Sequence, residues 1–391
     1  MGWKNSVYIA GAGNFGQIVM ELLEEYGKEE WHVRGFLDNN KAKQGNAIKG
    51  LPVLNPCRDL FSDSAENVYV FIAVIDWRVR SELAEQLYSY GLERIYYVGE
   101  DVYWQKARFF EGSKLIPRYA TKAKLASDGK LEPVFRYIET HVMDGCNLKC
   151  KGCTHFSNLF PTDAAVPLEQ FERDIKRLKE ICDVKKLRLL GGEPLLHREL
   201  LKFMKIARGA FPYSDVRVVT NGLLIDRQDE ELLSYMREHE IFFDISWYPP
   251  MLQRKEEILS FLDNRRIKYH AFETEIYEFS RCLTLSDIHD PEISQLKCGS
   301  RYCTILRDGK LYKCALAAYL PEYRRAFGVN IREEPGMDIY HDSIDKIRDF
   351  SVACVKDPID MCRYCTEQPE SFSWGARPHP EKEDWLVSNV E

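Results

Sequence analysis

Three cysteines in the middle of the sequence share one short loop. Cys146, Cys150 and Cys153 have the spacing CxxxCxxC and directly follow an apolar run that predicts a β-strand. Three thiolates on one loop can bind three irons of a four-iron cubane, which leaves the fourth iron open to another ligand. A zinc knuckle is the alternative. Because zinc sites usually close with a fourth Cys or His, His155 would be its nearest fourth ligand.

A second group of cysteines lies in the last hundred residues. Asp308-Gly309 is typical of a two-residue hairpin turn, and counting outwards from this turn places Cys303 opposite Cys314. The expected ligands of a second metal centre are Cys303, Cys314, Cys362 and Cys365, and Cys298 can replace any one of them. Iron–sulfur and zinc are both open for this centre. The cysteines left over are Cys57, Cys182, Cys282 and Cys354, and buried free cysteines are mostly core residues.

Glycines near the start of the chain follow a predicted strand and open a predicted helix. Gly11, Gly13 and Gly16 form the pattern GxGxxG, and Asp38 ends the next predicted strand. Such glycines admit a phosphate group to a helix N-terminus, and an acidic residue at that position can bind a ribose hydroxyl. The pattern predicts a nucleotide-binding module. A vestigial module used for packing or dimerisation is the alternative.

Two series of strands and helices position these residues. The first series predicts strands at 7–10, 32–37 and 68–74 and a helix at 17–26. The second series predicts strands at 138–143, 187–190, 216–220, 242–246 and 268–272. Its helix at 167–182 has one apolar face, made by Leu168, Phe171, Ile175, Leu178 and Ile181. Repeated strand–helix units predict a full or partial (β/α) barrel, whose functional residues follow the carboxyl ends of the strands.

The expected architecture is α/β in three parts. We predict a Rossmann-like parallel sheet at 1–100, a linker at 101–135, a partial (β/α) barrel at 136–296 and a small cysteine-rich module at 297–391. The last module is expected to need metal for its shape, because small modules seldom bury enough core.

Composition excludes several classes of protein. The 391 residues carry a net charge of −7, whereas a nucleic-acid-binding protein is expected to have a basic face. No run approaches the ~18 consecutive apolar residues of a membrane helix. The N-terminus passes directly into a predicted strand without the regions of a signal peptide. We therefore expect a cytoplasmic protein, whose 12 cysteines bind metal or take part in catalysis rather than form disulfides.

Four motifs together resemble the radical S-adenosylmethionine (SAM) superfamily. They are the CxxxCxxC loop, Gly191-Gly192-Glu193-Pro194 after the second barrel strand, Thr220-Asn221 after the third and Ser246 after the fourth. The resemblance covers about 137–246 and implies a [4Fe-4S] cluster on Cys146, Cys150 and Cys153, whose open iron binds SAM. It further implies that Gly191 to Pro194 line the SAM amino group, with Glu193 in or near that contact. Asn221 and Ser246 would approach the ribose or carboxylate.

One position departs from the superfamily pattern. Gly152 stands where the superfamily commonly has an aromatic or bulky residue near the adenine. We expect that contact to come from Phe156 or from another part of the chain.

Two further resemblances concern the ends of the chain. The spread of C-terminal cysteines resembles the twitch or SPASM-type auxiliary cluster domain of radical SAM enzymes, which implies a second [4Fe-4S] cluster. The segment with Gly35-Phe36-Leu37-Asp38, Lys49 to Val53 and Ile72 to Val74 resembles the N-terminal domain of sugar-nucleotide acetyltransferases. This second likeness implies a nucleotide-sugar ligand.

Together the resemblances imply an enzyme that cleaves SAM reductively. The 5'-deoxyadenosyl radical would remove hydrogen from a sugar or polyol that can be nucleotide-linked, and the outcome would be oxidation or epimerisation. In an oxidation the auxiliary cluster accepts the second electron, whereas in an epimerisation a thiol, for example of a leftover cysteine, returns a hydrogen atom.

The expected partners are the carbohydrate or nucleotide-sugar substrate and a reductant protein such as flavodoxin or ferredoxin, with neither nucleic acid nor membrane. A radical SAM peptide maturase is an alternative, although no leader-peptide-binding module is evident. A non-catalytic, zinc-stabilised nucleotide-sugar-binding protein is the alternative from another class.

Overall fold

The computed structural model describes residues 5–61, 68–99, 120–126, 128–271, 275–353 and 357–388. The chain divides into two compact units, Met1–Glu132 and Pro133–Glu391. Much of the predicted linker, including 101–119, lies outside the described residues, whereas Ala120–Lys122 is a strand of the first unit. Residues 297–391, predicted as a separate module, belong to the second unit.

The first unit is a Rossmann-like sheet with two described helices. Its strands are β1 (Asn5–Ala10), β2 (Trp31–Leu37), β3 (Ala47–Ile48), β4 (Leu51–Leu54), β5 (Val68–Ile72), β6 (Arg94–Val98) and β7 (Ala120–Lys122). Its helices are α1 (Asn14–Tyr26) and α2 (Trp77–Ser89), with a 3-10 turn at Arg58–Phe61.

Strand order in this unit matches the prediction of a nucleotide-binding fold. The described strands lie in the order β3-β4-β2-β1-β5-β6-β7, and the neighbours from β4 to β6 are parallel. The order of the chain reverses between β1 and β5, which is where Rossmann folds bind their ligands. Apolar side chains are buried on both faces of β1 and β5, as is usual for central parallel strands.

The second unit contains the elements of the predicted barrel and of the cysteine-rich region. Its strands are β8 (Val134–Phe135), β9 (Ile138–Met143), β10 (Asp183–Val184), β11 (Lys186–Gly191), β12 (Asp215–Thr220), β13 (Phe242–Ile245), β14 (Tyr269–Ala271), β15 (Glu278–Leu283), β16 (Ile305–Arg307), β17 (Lys310–Tyr312), β18 (Met337–Asp338) and β19 (Cys365–Ser373). Its helices are α3 (Leu168–Ile181), α4 (Leu200–Ala210), α5 (Glu230–Glu238), α6 (Pro249–Leu252), α7 (Lys255–Asn264), α8 (Pro291–Lys297), α9 (Ala315–Phe327) and α10 (Ile344–Ala353).

The main sheet of this unit has the strand order of an open (β/α) barrel. The described strands follow one another as β14-β13-β12-β11-β9-β16-β17-β18, and β9 and β11 to β14 are consecutive parallel neighbours. The predicted barrel strands agree with these to within a residue or two at each end. Helix α3 buries Phe171, Ile175, Leu178 and Ile181 against the sheet, as its periodicity predicted.

The C-terminal hairpin joins the same sheet rather than forming a separate fold. Strands β16 and β17 are antiparallel, and their turn residues Asp308 and Gly309 both have positive φ, at 50° and 70°. This is the backbone of the type I′ turn that Asp-Gly predicts. Because β16 also pairs in parallel with β9, the hairpin extends the barrel sheet. Among the described helices, none has the length and apolar character needed to cross a bilayer.

Candidate functional site

A cavity of about 420 Å³ lies at the carboxyl ends of the barrel strands. The sequence-predicted residues that line it are Cys146, Cys150, Cys153, Gly191, Gly192, Thr220, Asn221 and Ser246. They come from the last residues of β11 and β12 and from the loops after β9, β11, β12 and β13, which lie far apart in sequence. Glu193 and Pro194 are buried and do not line the cavity.

The cysteine loop presents buried thiols to this cavity. Cys146 and Cys150 are each 8% exposed, and burial raises the pKa of the Cys146 thiol to about 12 and that of Cys150 higher still. N–H groups donate to both sulfurs, among them Leu148 N to Cys146 Sγ at 3.4 Å and Trp374 Nε1 to Cys150 Sγ at 3.2 Å. Buried thiols ionise only when a cation compensates the charge, and N–H donors stabilise the resulting thiolates. The donor set therefore fits an iron–sulfur cluster held by three cysteines.

The glycines after β11 allow two loops to approach within backbone contact. A Cβ on Gly191, whose φ is +155°, would lie 1.7 Å from the carbonyl oxygen of Met143. A Cβ on Gly192 would lie 2.1 Å from the carbonyl oxygen of Gly145. Only glycine fits at these two positions, because β11 ends directly against the start of the cysteine loop.

Glu193 ties together the loops that line the cavity. Its carboxylate accepts hydrogen bonds from Thr220 Oγ1 at 2.7 Å, the Asn221 backbone N–H at 2.9 Å and the Leu195 N–H at 3.1 Å. Burial raises its pKa to about 7 although these donors oppose the shift. Asn221 in turn donates its side-chain amide to Asn147 Oδ1 on the cysteine loop, at 2.8 Å. The predicted contact of Glu193 with the SAM amino group stays a prediction.

Charged side chains form one wall of the cavity. Glu139 and Arg188 both line it, and Arg188 Nη1 donates to Glu139 Oε1 at 2.8 Å. Nη2 of Arg188 lies 2.9 Å from Asp244 Oδ2. Burial opposes ionisation of Asp244, but a hydrogen bond from His270 and the charges of Arg188 and Arg217 hold its pKa at about 2. Sequence analysis missed this set, because alternate charges in a strand usually face solvent.

A chain of hydrogen bonds leads from the protein interior to the cavity wall. Asp144 Oδ1 lies 2.7 Å from His141 Nδ1 and accepts a 2.6 Å bond from Arg307 Nη1. His141 Nε2 lies 2.9 Å from Nδ1 of His155, which lines the cavity. Burial lowers the pKa of both histidines, that of His141 to about 3, so both rings are neutral at neutral pH.

The tautomers of these histidines follow from the ionised carboxylate at the end of the hydrogen-bond chain. Burial opposes ionisation of Asp144, but His141 and Arg307 lower its pKa, so it accepts the proton of His141 Nδ1. His141 Nε2 then accepts from His155 Nδ1, which leaves the lone pair of His155 on Nε2. His155, which the sequence offered as a fourth zinc ligand, thus has one ring nitrogen committed to His141.

A second cavity, of about 150 Å³, collects C-terminal cysteines. The cysteines that line it are Cys282, Cys298, Cys314, Cys362 and Cys365. Cys282 and Cys365 share a hydrogen bond between their thiols. Cys282 was left over among the cysteines in the sequence, because its position is far from the CxxC pair and no spacing marks it. Within the described parts of the chain, no three Cys, His, Asp or Glu side chains converge closely enough for a single metal ion.

Cys303 does not line this second cavity, whereas the other four candidate ligands predicted from the sequence do. The hairpin ladder ends at the pair Ile305–Tyr312, so the predicted pairing of Cys303 with Cys314 does not form. Cys303 instead lies in a turn closed by its N–H to Ser300 O at 3.0 Å, and its thiol hydrogen-bonds with Tyr137. Burial raises its pKa to about 12.

The two cavities share part of a wall. Thr154, which follows Cys153, and Ser280 of β15 line both of them. Of the remaining cysteines, Cys182 is a core residue at the end of α3, with its thiol 3.2 Å from Leu178 O. Cys57 is half-buried, and Cys354 lies outside the described residues.

The glycine-rich turn of the first unit is held by Asp38. Its carboxylate accepts from the Ala12 N–H at 3.0 Å, the Asn40 N–H at 2.9 Å and Lys43 Nζ at 2.9 Å. Gly11 has a φ of +111°, and α1 begins at Asn14 with Gly13 as its N-cap. A Cβ on Gly16 would lie 1.9 Å from Gly11 O, so the turn itself requires Gly11 and Gly16, whereas a Cβ on Gly13 would meet nothing within 4 Å. The binding of a nucleotide there stays a prediction.

Comparison with known proteins agrees with this division of the chain. The family model "Radical SAM superfamily" matches residues 140–253, and the model "PglD N-terminal domain" matches residues 6–87. The GTP 3',8-cyclase of Staphylococcus carnosus (strain TM300) is 33% identical over 109 residues, which are 26% of this chain and 32% of that protein. This chain therefore spans about a third of the length of that curated relative.

Two solved structures that contain AdoMet match part of the chain. BtrN in complex with AdoMet and 2-DOIA matches with a TM-score of 0.37 and 17% identity, over 60% of this chain and 96% of that chain. The anSMEcpe protein with bound AdoMet and Cp18Cys peptide matches with a TM-score of 0.28 and 20% identity, over 36% and 42%. The two family models confirm the sequence resemblance: the chain carries a radical SAM domain at residues 140–253, preceded by a domain of the PglD N-terminal type at residues 6–87.

Proposed function

We propose that this chain is a radical SAM enzyme that removes a hydrogen atom from a hydroxyl-bearing substrate of the sugar or polyol class. The observation that carries the proposal is the larger cavity, because the three cysteines, the residues of the SAM motifs and the Glu139–Arg188 pair all line it. When bound, a [4Fe-4S] cluster on Cys146, Cys150 and Cys153 supplies the electron that splits SAM into methionine and a 5'-deoxyadenosyl radical.

The residues around the cavity would then place SAM. The backbone at Gly191 and Gly192 is bare of side chains, which suits close approach of the amino acid part of SAM. Thr220, Asn221 and Ser246 offer hydroxyl and amide groups at the ends of β12 and β13, which suit a ribose or carboxylate. Glu193 keeps Thr220 and Asn221 in position through its hydrogen bonds.

The charged wall supports a hydroxyl-bearing substrate. Glu139 and Arg188 form an ion pair, and Asp244 pairs with both Arg188 and Arg217, so that these two carboxylates face two guanidinium groups. A neutral pair offers both an acceptor and a donor to a hydroxyl group, whereas an unpaired cation would favour phosphate. The Nε2 lone pair of His155 adds one more acceptor in the same cavity.

We further propose that the second cavity holds an auxiliary [4Fe-4S] cluster on four of its five cysteines. When bound, such a cluster supplies an acceptor for the second electron of an oxidation. The wall shared through Thr154 and Ser280 favours oxidation over epimerisation, because electron transfer is fastest between neighbouring centres.

A reductant protein such as flavodoxin or ferredoxin is the proposed electron source. The N-terminal unit, whose residues 6–87 match the PglD N-terminal model, is the proposed binding site for a nucleotide or nucleotide sugar.

Metal analysis of the full-length protein tests the proposal. The protein would be purified and reconstituted anaerobically, and then iron, sulfide, zinc and the formation of 5'-deoxyadenosine from SAM and dithionite would be measured. We expect about eight irons per chain and 5'-deoxyadenosine. The control is Cys57→Ala, which should match the wild type, whereas Cys150→Ala should lose about four irons and all SAM cleavage. Zinc without iron, and no SAM cleavage, would overturn the proposal.

A further inference from the structure

A segment near the C-terminus covers the cysteine loop. We call residues 372–385 the C-terminal clamp; they follow the main part of β19. The clamp contacts the loop through backbone hydrogen bonds, from Lys151 N to Gly375 O at 2.8 Å and from Arg377 N to Lys149 O at 2.6 Å. Trp385 Nε1 adds a bond to the carbonyl oxygen of Cys153 at 2.8 Å. The loop is therefore fixed from outside the barrel by a segment more than two hundred residues away.

The clamp also explains the glycine that departs from the superfamily pattern. Gly152 has a φ of +63°, and a Cβ there would lie 2.7 Å from Cζ of Phe372 and 2.9 Å from Asp384 O. A bulky residue at this position would displace the clamp. The space that such a side chain would fill is taken by Phe372 of the clamp itself.

Trp374 is the clamp residue that reaches a candidate cluster ligand. Its indole Nε1 donates to Cys150 Sγ at 3.2 Å, within the usual range for an N–H···S bond. Its ring stacks on Tyr248, with centroids 6.0 Å apart and planes at 23°, and Tyr248 lines the larger cavity. The stacking fixes the plane of the indole and hence the direction of its N–H.

We propose that Trp374 sets the reduction potential of the cluster held by Cys146, Cys150 and Cys153, through its hydrogen bond to Cys150. This inference rests on the proposed function. Reduction adds a negative charge that spreads over the sulfurs, so an N–H aimed at a ligand sulfur stabilises the reduced form more than the oxidised form. Trp374 is a positioning residue in this scheme: it acts through Cys150 and makes the electron transfer that precedes SAM cleavage more favourable.

Redox titration of two matched variants tests the inference. Trp374→Phe keeps an aromatic ring and removes the N–H that donates to Cys150 Sγ. Trp385→Phe also removes an indole N–H of the clamp, but that N–H donates to a backbone carbonyl oxygen and not to a sulfur. The reconstituted full-length proteins would be titrated by EPR, following the signal that changes when SAM is added. In Trp374→Phe we expect reduction to become about tenfold less favourable, which is about 59 mV lower for a one-electron couple, with Trp385→Phe near the wild type.

The outcomes separate this inference from the proposed function. An unchanged potential in Trp374→Phe, or equal shifts in both variants, would overturn the inference while SAM cleavage by the wild type upholds the function. A wild type that binds no iron would overturn both. If Trp374→Phe fails to hold its cluster, wild-type protein labelled with 15N-tryptophan decides by pulsed EPR: a 15N coupling to the reduced cluster supports the bond, and its absence contradicts it.

Discussion

His155 and His141 lie ring to ring at the wall of the larger cavity, with 2.9 Å between His155 Nδ1 and His141 Nε2. Their ring centroids are 5.1 Å apart, and His141 also stacks on Tyr319 at 4.1 Å. His155 is therefore held by a partner that is itself locked between Asp144 and an aromatic ring. The cysteine loop gains rigidity from such an anchor two residues after its last cysteine.

Replacement of His155 by Phe should destabilise the protein because it leaves His141 Nε2 buried without a donor. We expect the free energy of unfolding of the apoprotein to fall by about 1–3 kcal/mol, the usual cost of a buried unpaired polar group. Urea unfolding monitored by tryptophan fluorescence would measure it. His341→Phe is the control, since the His341 side chain is 84% exposed. Equal effects of the two substitutions would contradict the anchoring role.

The auxiliary ligands can be separated by iron content. Cys303→Ala should keep about eight irons per chain, because Cys303 lies outside the second cavity. Cys362→Ala should lose about four, because Cys362 lines that cavity and belongs to the CxxC pair. Iron and sulfide analysis after anaerobic reconstitution measures both. Loss of four irons in Cys303→Ala would restore the ligand set favoured by the sequence.

The contrast between Cys303 and Asp308 shows what the sequence could predict. The Asp308-Gly309 turn is a local feature, because positive φ at both residues suits few other pairs. Whether Cys303 faces Cys314 depends instead on where the hairpin ladder ends, and that is set by packing of β16 against β9. Cys282 lines the second cavity because β15 pairs with β19, and no spacing in the sequence encodes this pairing.

The same distinction applies to the barrel. The strands were predicted because Leu187, Val216 and Phe243 belong to short apolar runs, and all three are buried. The apolar face of α3 was predicted because Phe171, Ile175 and Leu178 recur at helical spacing. The intervening charges were not predicted as a site, since Arg188 and Asp244 have the alternation of a strand with one solvated face. They meet because β11, β12 and β13 are consecutive parallel neighbours whose register places both side chains on one face, and this strand order is a property of the whole sheet.

The glycines after β11 can be tested by a single methyl group. Gly191→Ala would place its Cβ 1.7 Å from the backbone oxygen of Met143 at a φ of +155°, so the two loops must separate. We expect loss of SAM binding and a lower midpoint of urea unfolding. Gly209→Ala in α4 is the control: nothing lies within 4 Å of its Cβ, and we expect a gain of about 0.5–1 kcal/mol in the free energy of unfolding. Wild-type SAM affinity in Gly191→Ala would contradict the tight approach of these loops.

Glu193 should make the stability of the apoprotein depend on pH. Burial raises its pKa from 4.5 to about 7, so the folded state binds a proton more tightly than the unfolded chain does. The contribution of this group is thus fully present below pH 4.5 and is lost as the pH rises through 7. Within that window the free energy of unfolding changes with a slope of at most about −1.4 kcal/mol per pH unit.

Glu193→Gln keeps the side-chain volume and removes the ionisable group. The NH2 group of the new amide then faces the Asn221 N–H, so that two donors point at each other. The variant should therefore be less stable at pH 5 and lose less stability than the wild type between pH 5 and 7.5. Urea unfolding at several pH values measures both slopes, and parallel slopes for the two proteins would show that Glu193 is ionised throughout this range.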